Sequence, residues 1–184
     1  ITINVNTKQT NVIMGQEMRS VWGQEYITDH VMKDYSMLDE LENFDIKENK
    51  FLMNMIEEAK RIQERFPGIA VSTGCVGPMS TASSVRAVEL LLRDVRKNPK
   101  DLHRLLDFCV TQTLEWLRLF SEATGCKQMS IADPVTSTDV LGRKYFDEFT
   151  RPYFQRLFDG ITELCGGVKP MVHICGHTKG IWDA

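Results

Sequence analysis

The sequence predicts an α/β fold in which parallel strands alternate with helices, laid out as one domain over residues 1–184. Three observations predict it. Short apolar runs rich in β-branched residues and bounded by glycine or proline, IAVSTGCVGP, KQMSIADP and VKPMVHICG, are separated by longer stretches with apolar residues at helical spacing. Strand, helix, strand, helix, strand is the order of βαβ units, whose strands pair in parallel. The 184 residues, 42% of them hydrophobic, can bury a core of their own. This order suits either half of a barrel or a small open sheet.

Residues 1–49 form an irregular N-terminal part and residues 50–184 the βα units. The opening ITINVNTKQ alternates apolar and polar at Ile1, Ile3 and Val5, a weak strand with one solvated face. Val21 to Asn49 carries WGQEY and an acidic run, which predicts irregular structure with short helices. From Lys50 to Phe66 a helix is predicted with Phe51, Met55, Ile56, Ala59 and Ile62 as its apolar stripe, ended by Pro67-Gly68. After the IAVSTGCVGP strand a helix begins near Ser80, where hydroxyls are available as caps. Beyond Asn98-Pro99 a second helix runs to about Ala123, with Leu102, Leu105, Leu106, Cys109, Thr113, Trp116, Leu117 and Phe120 on its core face. KQMSIADP is the next strand. A helical region over Arg143–Leu164, divided at Pro152, is released by Gly166-Gly167 into VKPMVHICG.

A formal charge of −3 leaves no basic surplus, which argues against nucleic acid or an anionic membrane as a general partner. No apolar run approaches the roughly 20 residues of a membrane helix, and no signal segment opens the chain. The reading is a soluble, cytoplasmic protein. Five cysteines without a CxxC pair speak for reduced thiols rather than a disulfide framework. The start at Ile1 rather than Met suggests a fragment or a processed product.

In parallel α/β folds ligands gather beyond the carboxyl ends of the strands. That rule selects Cys75 with Gly77-Pro78, Asp133 with Pro134, and His173 with Cys175. Side chains two apart share one face of a strand, so His173 and Cys175 offer an imidazole and a thiol on the same side, two of the three ligands a catalytic zinc needs. The plainer alternatives are a cysteine acting as a small hydrophobe and a histidine satisfied by a carbonyl. Cys75 is either the third ligand or a packed thiol. Asp133 either meets substrate or caps the next element. His177, past Gly176, lines the site rather than ligating. The nine methionines fill core, and Trp22, Trp116 and Trp182 are structural.

GPMSTASSVRAVELLLRDVRKNPKDLHRLLDFC, SIADPVTS, FDEFTRPYFQRLFDGI and PMVHICGHT follow one another here as in the uroporphyrinogen decarboxylase superfamily, which the chain resembles from VWGQEY at Val21 to its end. The resemblance implies a TIM-type (β/α)8 barrel, lacking here the opening strand and roughly the last three units. HICG is similar to the methylcobamide:coenzyme M (corrinoid) methyltransferase branch, where a His and a Cys two apart bind zinc with a later Cys. His173 and Cys175 become zinc ligands by that resemblance, with the third ligand beyond Ala184.

The implied reaction moves a methyl group from a methylcorrinoid (cobalamin), delivered on a separate corrinoid carrier protein, to a small thiol whose pKa is lowered by zinc. Asp133 would orient the thiol across the barrel mouth, with Cys75, His177 and Thr178 binding substrate. Two other readings stand beside it: metal-free porphyrinogen decarboxylation in porphyrin and heme biosynthesis, and an inactive barrel fragment whose exposed sheet edges lead to self-association.

Overall fold

The computed structural model describes residues 2–6, 18–21, 24–27, 29–41 and 43–181, so Trp22, Trp182 and Ile1 lie outside the described residues. Four strands, β1 (Thr2–Asn6), β4 (Ala70–Val76), β5 (Met129–Ala132) and β6 (Met171–His173), form a parallel sheet in the order β1-β4-β5-β6. The opening stretch forms the expected strand, as a parallel partner of β4 over its whole length. Between them, β2 (Met18–Val21) and β3 (Gln24–Ile27) make an antiparallel hairpin. This replaces the irregular structure expected from Val21 onward. A short helix α1 (Ser36–Glu40) and a 3-10 turn at Ile46–Glu48 follow, as the acidic run predicted.

Asn49 caps α2 (Lys50–Arg65) by accepting from the Leu52 amide at 3.1 Å. The helix buries Leu52, Ile56 and Ala59, while Phe51 is 57% exposed. Ile56 and Ala59 of the expected stripe are buried and Met55 and Ile62 half-buried, but Leu52 takes the place of Phe51 on the line that meets the sheet and the long helix beside it. β4 then leads into α3 (Pro78–Val85) and α4 (Val88–Lys97), two helices where one was expected. The break falls at Arg86, held extended while its guanidinium reaches Asp94 and the carbonyls of Met32 and Lys33.

Helix α5 (Pro99–Thr124) starts on a proline at its first turn and buries every residue predicted for its core face. At about 1.5 Å per residue it extends roughly 39 Å, long enough to serve two clusters. Leu102, Leu105, Leu106 and Cys109 pack with Met79, Leu91 and Phe149, whereas Val110, Trp116, Leu117 and Phe120 pack against the sheet. Each such side chain, removed from water, contributes roughly 1.5–3 kcal/mol.

After β5 the chain forms α6 (Thr138–Tyr145), a π turn (Phe146–Thr150) and α7 (Arg151–Leu164). The helical region is interrupted at Gly142, whose φ of 68° no other residue adopts cheaply, and again at the π turn. Pro152 lies in the first turn of α7, where its missing amide costs nothing.

Register divides the sheet into two faces. Cys75, Ile131 and Val172 are partners on one, and Val76, Ala132 and His173 on the other. Helices α2, α5 and α7 cover the first face through Leu52, Trp116, Phe120 and Ile161. The second carries Ser72, Gly74, Ser130 and Ala132 and belongs to neither hydrophobic cluster. No described helix is long and apolar enough to cross a membrane.

Candidate metal and substrate site at the strand ends

The carboxyl ends of β4, β5 and β6 are level, and backbone bonds continue past them. The Gly77 amide donates to the Ala132 carbonyl at 2.9 Å and the Asp133 amide to the His173 carbonyl at 3.0 Å. The three selected groups thus lie side by side at one end of the sheet. β6 itself stops at His173, so Cys175 lies beyond the strand and not two positions along it. The two nevertheless converge: His173 Nε2 and Cys175 Sγ are 3.1 Å apart, both exposed. The chain leaves the strand at Ile174 between them and turns after Cys175 at Gly176, with φ of 83°.

A tetrahedral ion with bonds of about 2.1 Å to nitrogen and 2.3 Å to sulfur separates the two donors by roughly 3.5 Å. The observed pair needs to open by only a few tenths of an ångström to fit zinc. Among the described residues no third His, Cys, Asp or Glu joins them into a three-donor cluster. Cys75 does not: it is buried on the helix-covered face, and burial, with a smaller effect from Asp133, pushes its thiol up to about 12. At neutral pH it is a protonated thiol packed in the core, the plainer of its two readings.

Asp133 is 0% exposed. Its Oδ1 accepts from the Ser80 amide at 2.9 Å and the Ser80 hydroxyl at 2.5 Å, and that hydroxyl in turn accepts from the Val135 amide at 2.9 Å. The carboxylate thereby caps α3 from a strand 53 residues away, a role the sequence assigned to local hydroxyls. Burial pushes its carboxyl up, against the lowering effect of the Ser80 bonds. Gly77 is needed beside it: a Cβ there would sit 2.4 Å from the Asp133 Cβ.

His177 is exposed, with its Nδ1 donating to Asp139 Oδ2 at 2.8 Å and its amide donating to the same oxygen at 3.4 Å. The bond from His177 holds the Asp139 carboxyl below its ordinary value. Thr178 opens the 3-10 turn Lys179–Ile181, its carbonyl accepting from the Ile181 amide at 2.9 Å. Asp139 and Ser80 escaped the sequence reading. Ser80 was visible only as a generic cap, and Asp139 only as an acidic residue in the first turn of a helix.

The sequence model of the family described as Uroporphyrinogen decarboxylase (URO-D) matches residues 11–184. Methylcobamide:CoM methyltransferase MtbA of Methanosarcina acetivorans is 23% identical over 156 residues, 84% of this chain and 44% of that protein. Methylcobamide:CoM methyltransferase MtaA of Methanosarcina barkeri (strain Fusaro) is 24% identical over 138 residues, 74% of this chain and 39% of that protein. A solved structure, a methyltransferase from Methanosarcina mazei, shares the fold with a TM-score of 0.77 at 24% identity, covering 95% of this chain and 51% of that one. The chain thus spans about half or less of the length of the proteins it matches.

Proposed function

Because this chain belongs to the uroporphyrinogen decarboxylase family, we propose that it carries part of a zinc-dependent methyltransferase that moves a methyl group from a methylcorrinoid to a thiol such as coenzyme M. The observation that carries this reading is the convergence of His173 Nε2 and Cys175 Sγ to 3.1 Å at the strand ends. The names of the relatives, methylcobamide:CoM methyltransferases, support it.

His173 and Cys175 would hold zinc, with a further donor from outside the described residues. When bound, zinc supplies a Lewis acid that lowers the pKa of a coordinated thiol. The chain's own residues orient this pair. Asp133, shut off from solvent, keeps α3 and the end of β6 in place and acts by positioning, without meeting substrate. Cys75 packs beneath the mouth, and His177 and Thr178, which follow the pair in the loop, would meet the incoming substrate. In the net reaction the carbon–cobalt bond breaks with its electron pair left on cobalt, a carbon–sulfur bond forms, and the thiol proton leaves to solvent; the corrinoid chemistry belongs to the substrate. The methylcorrinoid arrives on a separate carrier protein. The gathering of the hydrophobic clusters on one face of the sheet supports reading the chain as part of a TIM-type barrel, with the other face as the barrel interior. The same chemistry fits a cytoplasmic setting, where Cys175 stays reduced.

Zinc per chain, measured by elemental mass spectrometry, tests the reading. We expect near-stoichiometric zinc after metal challenge, lost in Cys175→Ser and His173→Ala. A wild-type protein that carries all three donors and stays metal-free removes the methyltransferase mechanism. Porphyrinogen decarboxylation, insensitive to His173→Ala, then becomes the activity to assay.

A further inference from the structure

Cys175 lies past the last hydrogen-bonded residue of β6, so the sheet does not fix its position. The segment Ile174–Ile181 is held instead by α6 and its approach. Gly176 passes against Ser137, where a Cβ would stand 3.3 Å from the Ser137 Cβ. His177 donates to Asp139 Oδ2 through both its ring, at 2.8 Å, and its amide, at 3.4 Å. Arg143 Nη1 donates to the Gly180 carbonyl at 2.6 Å, and Ile181 is buried at the end of the segment. Ser137, Asp139 and Arg143 thus fasten one loop along one short stretch of chain.

Of the three fastenings, Asp139 is the one that takes two hydrogen bonds from a single loop residue. Its carboxylate binds a backbone amide and a side chain of the same residue, which fixes both the path of the chain and the ring. A loop fastened two residues after Cys175 leaves the thiol little freedom to swing away from the imidazole on the rigid strand. Released, the same loop would rejoin the sheet only at His173, and the thiol would sample several directions before meeting a metal.

We infer that Asp139 is a positioning residue that preforms the His173–Cys175 donor pair by clamping the loop that carries Cys175 to helix α6. The metal part of this inference rests on the function proposed above; the clamp itself does not. Groups that orient metal ligands from outside the coordination sphere are commonly worth about 10- to 100-fold in metal affinity. A preformed pair spares the ion the ordering of a free loop.

The test compares this chain with Asp139→Ala and Asp139→Asn. Amide hydrogen exchange is read by mass spectrometry on the metal-free proteins, and cobalt(II) is then titrated in with its sulfur-to-metal absorption as the signal. In Asp139→Ala we expect residues 174–181 to exchange about tenfold faster, with β4, β5 and α5 unchanged, and cobalt to bind about tenfold more weakly. Asp139→Asn, which keeps an oxygen acceptor for His177, restores both. Unchanged exchange in Asp139→Ala overturns the clamp. Faster exchange with unchanged cobalt affinity overturns the positioning role. If the wild-type chain takes up no cobalt, the exchange arm alone decides the clamp.

Discussion

Arg86 and Asp94 are both buried, joined by a bond of 2.6 Å from Nε to Oδ2. Tyr35 and Asn98 donate to the same carboxylate at 2.9 and 2.8 Å, and the guanidinium lies 4.6 Å from the Tyr35 ring centroid. Burial alone would push the Asp94 carboxyl up, but the bonds from Arg86, Asn98 and Tyr35 outweigh it and leave the group below its ordinary value. Removing one partner strands the other in the interior, so Arg86→Ala should cost about 3–5 kcal/mol in urea unfolding. The folded pKa of Asp94 lies below the unfolded one. Its contribution is therefore complete above the ordinary carboxylate pKa of about 4 and lost as pH falls through the folded value. The stability gap between wild type and Asp94→Asn should accordingly narrow on acidification, and a gap constant down to the acid transition would refute this assignment. Nothing in the spacing of Arg86 and Asp94 announced the pair. Both looked like polar positions on one continuous helix, and only the break between α3 and α4 turns them inward.

Two glycines at close approaches show how elements meet. A Cβ on Gly77 would stand 2.4 Å from the Asp133 Cβ and 2.3 Å from its Oδ2, atoms fixed at the base of a buried side chain that caps α3. Gly77→Ala should therefore cost about 1–3 kcal/mol and loosen the junction of β4, β5 and α3. On α7, a Cβ on Gly160 would meet the end of the partly buried Leu114 side chain on α5, its methyls at 2.6 and 3.0 Å and its Cγ at 3.4 Å. That end can rotate, and alanine gains about 0.5–1 kcal/mol over glycine within a helix, so Gly160→Ala should be near neutral. Thermal unfolding of both variants compares them directly, and equal losses would contradict the distinction. The helices themselves were legible. Asn49, Pro99 and the glycine pair after α7 bound elements close to their observed limits, because caps and breakers act within a turn or two of chain. The face each helix buries was less so. Phe51 lies next to the buried line of α2, and its neighbours across space, not its periodicity, decide which line turns inward.

Taken whole, the sheet carries a hydrophobic cluster on one face, half-buries Ser72, Val76, Ser130 and Ala132 on the other, and exposes Val168, Met171 and Val172 at its β6 edge, the last two at 71% and 40%. An apolar strand edge of this kind pairs readily with another chain. Sedimentation should show concentration-dependent association at micromolar levels, weakened by Val172→Lys; a monomer at every concentration would dispose of that expectation. Sequence by itself determined the alternation of strands and helices, the long amphipathic α5, the family resemblance and the His173-x-Cys175 pair, since each depends on residues near one another in the chain. Tertiary structure alone decided that the opening stretch pairs with β4, that Cys75 faces the helices as a buried thiol, and that Asp133 reaches across 53 residues to cap α3. It also decided that Cys175 meets His173 beyond the end of the strand, and that the loop after it is bonded to Asp139. The reason is physical: periodicity and capping are local energies written in neighbouring residues, whereas burial, register and the partner of a carboxylate are set by what the folded chain brings alongside.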